Sequence, residues 1–256
     1  MSLVLRFQPA ARAALRHLLI SLLLALAVAA LVFGVWYPHP YGELAGGQGL
    51  FLLIMAVDVV CGPLLTLVIF DPRKPRAELM RDIGLVVLIQ LAALGYGLHS
   101  LTQARPVWLA FEGDRFRVVS IPDLADQNIH EAPEGLRQLS WTGPQLLGVR
   151  LVDNADPAFL ASVQSALKGL HPAFRPSRWV PYESQLAGVQ AALRPMAELL
   201  DRHPMEADAI RSIAADVSLD ALGYLPLVTD MVTDWVVVVR RLDGQPVAYL
   251  PLDGFE

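Results

Sequence analysis

Three long apolar runs fill the first hundred residues, and a chain of mixed pattern follows them. Leu18 to Tyr37 is twenty residues without a charge. At about 1.5 Å per helical residue that run spans roughly 30 Å, the depth of a bilayer core. Gly49 to Phe70 is a second run, interrupted by Asp58 and Pro63; Ile83 to Leu101 is a third, carrying Gln90, Tyr96 and His99. The pattern predicts three transmembrane helices, with Trp36 and Tyr37 closing the first as an interfacial aromatic belt. Arg6, Arg12 and Arg16 ahead of the first run would also suit a signal peptide. That run, however, exceeds the ~7–15 apolar residues of a cleaved signal and ends Val35-Trp36-Tyr37 instead of in small residues. A retained anchor is expected.

After Thr102 the period changes. Val107–Phe111 and Arg115–Ile121 read as strands around a Glu112-Gly113-Asp114 hairpin turn, and Gln145–Val152 reads as another. Asp156-Pro157 marks a helix start, with Phe159, Val163 and Leu167 sharing one face. Ser184 caps a second helical pattern through Leu186, Val189, Leu193, Met196 and Leu200, which Pro195 should kink or split. Glu206–Val217 is a third, with Ile210, Ile213 and Val217. Trp235–Val239 is apolar on both faces, as a central strand is, and Leu242-Asp243-Gly244-Gln245 turns it into a final strand, Pro246–Leu250. The expected fold class is a membrane-anchored α+β protein: three transmembrane helices, then an α+β domain with a mixed or antiparallel sheet and helices on one face. Residues 1–17 form an N-terminal segment, 18–102 the membrane domain with spans about 18–37, 49–70 and 83–101, and 103–256 the outside domain.

Charge gives these segments a direction. The N-terminal segment carries three arginines, Pro38–Gln48 carries no Lys or Arg, and Asp71–Asp82 carries Arg73, Lys74, Arg76 and Arg81. The positive-inside bias makes those four residues topology determinants and places the N-terminus and second connection in the cytoplasm. Three crossings put the C-terminal domain on the far side, the periplasm of a bacterium with two membranes. That domain holds 20 acidic against 13 basic residues, while the membrane part is slightly basic, so it should be soluble and should not lie on anionic lipid.

Composition narrows the function. The chain is 54% hydrophobic and 18% charged with a net charge of −5, which excludes a generally basic nucleic-acid binder. A single cysteine, Cys61, excludes an internal disulfide and reads as a small buried hydrophobe. Neither lysine has a P-loop context, the six histidines form no metal-ligand pair, and no G-x-S-x-G elbow occurs. No cofactor or metal is expected, and no enzyme.

Asp58 is the residue that demands a reason, since a carboxylate near mid-bilayer costs at least ~2.5–3.5 kcal/mol on insertion scales. It can hold the helices together by a hydrogen bond, dock a partner, or carry a proton. By depth it lies roughly 18 Å from the cytoplasmic end of its span and Tyr96 roughly 20 Å, with Gln90 roughly 8 Å lower. Tyr96 is thus the better partner and Gln90 the fallback. Gly62-Pro63, one turn on, offers a kinked close-approach surface either within the bundle or toward another helix. Asp58, Gly62, Pro63, Thr66, Gln90 and Tyr96 together make the candidate intramembrane structural or docking site.

Three stretches carry a resemblance. Asp58-Val-Val-Cys61-Gly62-Pro63-Leu-Leu-Thr66-Leu-Val-Ile-Phe70-Asp71-Pro72-Arg73-Lys74 is one; Gln103-Ala-Arg105-Pro106-Val107-Trp108-Leu-Ala-Phe111-Glu112-Gly113-Asp114-Arg115-Phe116 is another. The last is the tail, Tyr224-Leu-Pro226-Leu with Leu242-Asp243-Gly244. With the three spans and the outside domain, they resemble the TfpX/TfpZ family of type IV pilin accessory proteins over nearly the whole chain, Cys61 standing where an aliphatic residue is expected. The resemblance implies a non-enzymatic inner-membrane factor that assists assembly or stability of a particular pilin. Its partners would be membrane lipid, the pilin and other inner-membrane pilus-machinery proteins. A membrane-anchored periplasmic sensing or ligand-binding module is the alternative, disfavoured by cytoplasmic segments too short to report a signal.

Overall fold

In a computed structural model describing residues 2–153, 155–213 and 218–255, the chain separates into two compact units, divided between Arg105 and Pro106. The first is helical. Helix α1, Ser2–Leu31, continues through a π-helical turn, Val32–Trp36. A short α2, Tyr41–Leu44, leads to α3, Gly47–Ile69, and α4, Arg76–Ala104. The three long helices have the length and hydropathy to cross a membrane. Much of their apolar surface points outward, Leu53, Val60, Leu64, Val68 and Leu88 among it, as helices that pack on lipid require.

Inside, Val28, Val32, Phe51, Met55, Leu94 and Leu101 form the bundle core. Small residues set the spacing: a Cβ on Gly97 would strike Ile54, and one on Gly47 would strike the Tyr37 ring. Tyr37 does not belong to an outward belt. It is 1% exposed, and its hydroxyl donates to the Leu101 carbonyl at 2.8 Å, joining the far ends of the first and third helices. Cys61 likewise departs from expectation, facing out from α3.

The second unit is α+β around one mixed sheet. Its strands are β1 Pro106–Phe111, β2 Phe116–Ser120, β3 Gln145–Val149, β4 Trp179–Val180, β5 Arg194–Pro195, β6 Leu222–Val228, β7 Trp235–Arg240 and β8 Pro246–Leu250. The order is β4-β3-β1-β2-β6-β7-β8, with β5 alongside β6. The β1–β3 and β2–β6 pairs are parallel, and the others antiparallel. The hairpins fall at Gly113 and Gly244, both in the left-handed region with φ of +87° and +67°, where glycine avoids the Cβ clash. Helices α5 Phe159–Leu167, α6 Leu186–Ala192, α7 Met196–Arg202 and α8 Ala207–Ile213 complete it. Met196, Leu199 and Ile210 of α7 and α8 bury Tyr224, Val236 and Val238.

Several local expectations shift. Pro195 does split its helical pattern, and the break becomes strand β5 between α6 and α7. Ser184 caps neither helix, since its hydroxyl donates to the Pro181 carbonyl. The Asp156 carboxylate accepts from the Ala158 amide, so α5 begins at Phe159. Of its expected stripe, Phe159 is half-buried but Val163 is exposed and Leu167 is 83% exposed, and Leu160 beside them is 71% exposed. Val217, expected to end the last helix, lies outside the described residues. Strand β6 was not expected, because Pro226 interrupts it. There the neighbour on one side changes from β5 at Gly223–Tyr224 to β2 at Leu227–Val228, leaving a gap where a missing N–H is tolerated.

Candidate functional site

The polar side chains of the membrane helices divide into an internal set and an outward one. Gly62, Pro63 and Thr66 are buried on α3. Pro63 removes the backbone donor that would meet the Val59 carbonyl, and a long side chain from α4 arrives beside this break. Gln90 Nε2 donates to the Asp58 backbone carbonyl at 2.9 Å. Gly62 makes this possible, because a Cβ there would collide with the Gln90 amide. Gln90 Oε1 is buried with no donor among the described residues. Two turns below Asp58, Thr66 Oγ1 and His17 Nδ1 of α1 are hydrogen-bonded at 2.6 Å. Gln90 therefore ties α4 to α3, and His17 ties α1 to α3.

The Asp58 carboxyl group takes no part in either tie. No described residue hydrogen-bonds to it, and it lines two cavities. One, of about 340 Å³, also touches Ala25, Met55, Thr66 and Gln90. The other, of about 240 Å³, touches Val57, Tyr96 and Ser100. Tyr96 shares that second cavity but does not bond to Asp58, and it is 76% exposed. Depth counted from the start of the apolar run misplaces Tyr96, because the helix begins earlier. Helix α4 starts at Arg76, seven residues before the apolar run. From the ends of α3 and α4, Asp58 rises about 16 Å, Gln90 about 21 Å and Tyr96 about 30 Å. Gln90 is the level match. His17, adjoining the first apolar run, carried no sequence signal of its role.

The basic residues of the second connection are engaged locally. Arg73 pairs with Asp71 at 3.1 Å, Lys74 with Asp82 at 2.7 Å and Glu78 at 3.4 Å, and Arg81 with Asp82 at 4.0 Å. Arg76 opens α4.

In the sheet unit one charged cluster is buried. Arg117, on β2, donates through Nε to Glu112 Oε2 at 2.9 Å, both side chains under a tenth exposed. The other Glu112 oxygen accepts from the Ala173 amide at 3.1 Å, and the Arg117 guanidinium lies 5.7 Å from the Phe174 ring centre. Asp230 stands 3.6 Å from Arg117 and 3.9 Å from His171. Burial, then the Arg117 charge, hold His171 below its ordinary pKa, so at neutral pH it is an uncharged ring. Both Glu112 oxygens are bonded, and removing one partner of such a pair would leave an uncompensated buried charge. The pair pins the β1–β2 hairpin to the 172–174 turn. Sequence reasoning passed over Arg117, although a cation flanked by Phe116 and Val118 in an apolar strand was a readable signal. Among the described residues no three His, Cys, Asp or Glu side chains are placed to hold a metal.

Comparison with known proteins supplies the family. The fimbrial assembly protein FimB family model matches residues 5–46, the first helix and the connection after it. Over 254 residues, 98% of both chains, the protein is 35% identical to "Fimbrial assembly protein, serogroup I" of Dichelobacter nodosus, and equally to the serogroup E1 protein of that organism. The chain belongs to the fimbrial assembly protein family. The family's serogroup C1 and C2 protein, also from Dichelobacter nodosus, is 42% identical over 127 residues, which is 97% of that protein and 50% of this one. No solved structure matches this chain.

Proposed function

We propose that this protein is a non-enzymatic accessory factor of type IV fimbrial biogenesis in the bacterial inner membrane, of the TfpX/TfpZ kind. In this reading it holds or orients a specific pilin for assembly. The observation that carries the proposal is full-length identity to proteins whose names state fimbrial assembly. Two surfaces support a binding role. In the membrane, Leu53, Val57 and Asp58 of α3, its carboxyl group unbonded, line one face with the exposed Tyr96 of α4. Such a face suits an apolar helix that brings one hydrogen-bonding group. In the sheet unit, the exposed apolar residues of α5, Leu160, Val163 and Leu167, suit a contact with the part of the pilin outside the membrane. Gly62, Pro63, Thr66 and Gln90 act inside the bundle and set the position of Asp58.

The orientation that goes with this role has the N-terminus and the Arg73–Arg81 connection in the cytoplasm and the sheet unit in the periplasm, by the positive-inside bias. Deleting the chain should lower surface pili while pilin still accumulates in the inner membrane. Counting pili by electron microscopy and blotting membrane pilin checks both. Unchanged pilus number and dynamics would sink the assembly role and favour a sensing module.

A further inference from the structure

The geometry points to a binding site for one anionic phospholipid, with an acyl chain in the groove between α1, α3 and α4. The groove runs from Arg16 and His17 at its mouth to Ala25, Met55 and Leu94 at its deep end, and holds about 340 Å³. Its walls are mainly aliphatic, with Ile20, Leu24, Val87 and Leu91 along them. From Arg16 to Ala25 is nine residues, roughly 14 Å of helix. Between these aliphatic walls an acyl chain can lie along the groove with its headgroup at the mouth.

Charge selects the headgroup. Arg12 and Arg16 stand one turn apart on the same side of α1, both exposed, and neither has an acidic partner among the described residues. The acids of the second connection are already engaged, Asp71 by Arg73 and Glu78 and Asp82 by Lys74. The His17–Thr66 bond sets this level of α1 three residues from the end of α3, so both guanidinium groups can reach a phosphate at the membrane surface along their aliphatic stems. Thr66 and the Gln90 amide nitrogen are spent on contacts within the bundle, and Asp58 also opens onto the second cavity. The polar groups left on the wall are Ser21, Asp58 and the Gln90 Oε1 that is unpaired among the described residues, and the rest of the lining beyond the mouth is aliphatic. This inference does not rest on the pilus reading.

The test is native mass spectrometry of the full chain released from nanodiscs of phosphatidylcholine with or without phosphatidylglycerol. One phosphatidylglycerol should stay bound where phosphatidylcholine does not. The double substitution Arg12→Gln, Arg16→Gln should weaken that retention about thirtyfold, at roughly tenfold or less per basic residue, and the Lys pair should restore it. Leu91→Trp, at an exposed wall position, should lower retention of any lipid while leaving the melting temperature unchanged. Equal retention of the two lipids, or retention indifferent to these substitutions, overturns the site. So does a photocrosslinker at Leu91 that traps a protein instead of a lipid in cells.

Discussion

At the scale of single residues, Asp58 decides between roles. Its backbone carbonyl, not its carboxyl group, is tied to Gln90, so replacing the side chain should not loosen the bundle. Asp58→Leu removes a costly polar group from the membrane, and the protein should accumulate at least as well as the parent. We expect the same variant to reduce piliation severalfold, with Asp58→Asn near normal because an amide still hydrogen-bonds. Equal damage from Asn and Leu would assign proton carriage; full piliation in both would leave Asp58 without a partner role. Asp58 was legible in the sequence because a charge in an apolar run has few explanations. Its neighbours were less so. Gln90 was ranked behind Tyr96 by counting depth from the end of hydrophobicity, where the helix itself runs seven residues further. The Glu112–Arg117 pair went unread because a hairpin brings the two together, and residue spacing alone does not state the pairing register.

Among elements, the α3–α4 contact turns on the absence of a side chain at 62. Gly62→Leu would drive into the Gln90 amide, and overpacking of this kind costs about 1–3 kcal/mol. The melting temperature of the purified chain in detergent should fall, and Gln90→Ala in the same chain should recover part of the loss. An unchanged melting temperature would show that α4 is not seated on Gly62. The periodic elements were readable: long apolar runs became helices, Trp235–Val239 became an interior strand, and Pro195 broke its helix. What misled was pattern without context. The α5 stripe shares a helical face, yet Val163 and Leu167 are exposed among the described residues. Strand β6 was hidden by Pro226, tolerated only because two different strands flank it at that point.

For the whole molecule, the sequence order of helices then sheet was plain, but the sheet topology was not. Two parallel pairings, β1–β3 and β2–β6, join segments far apart in the chain, and nothing local specifies them. Orientation rests on a bias of arginines and lysines, and reporter fusions check it. A fusion after Arg76 should be active in the cytoplasm, and fusions after Gln48 and Pro106 in the periplasm; a cytoplasmic C-terminal reporter would reverse the account. The most direct test of the central claim is photocrosslinking in piliated cells from Leu53 and Val57 of α3 and from Leu160 of α5. The account predicts that the trapped partner is the pilin, with the α3 adduct lost in Asp58→Leu. Pilin absent from the adducts at all three positions, in cells making normal pili, would contradict it.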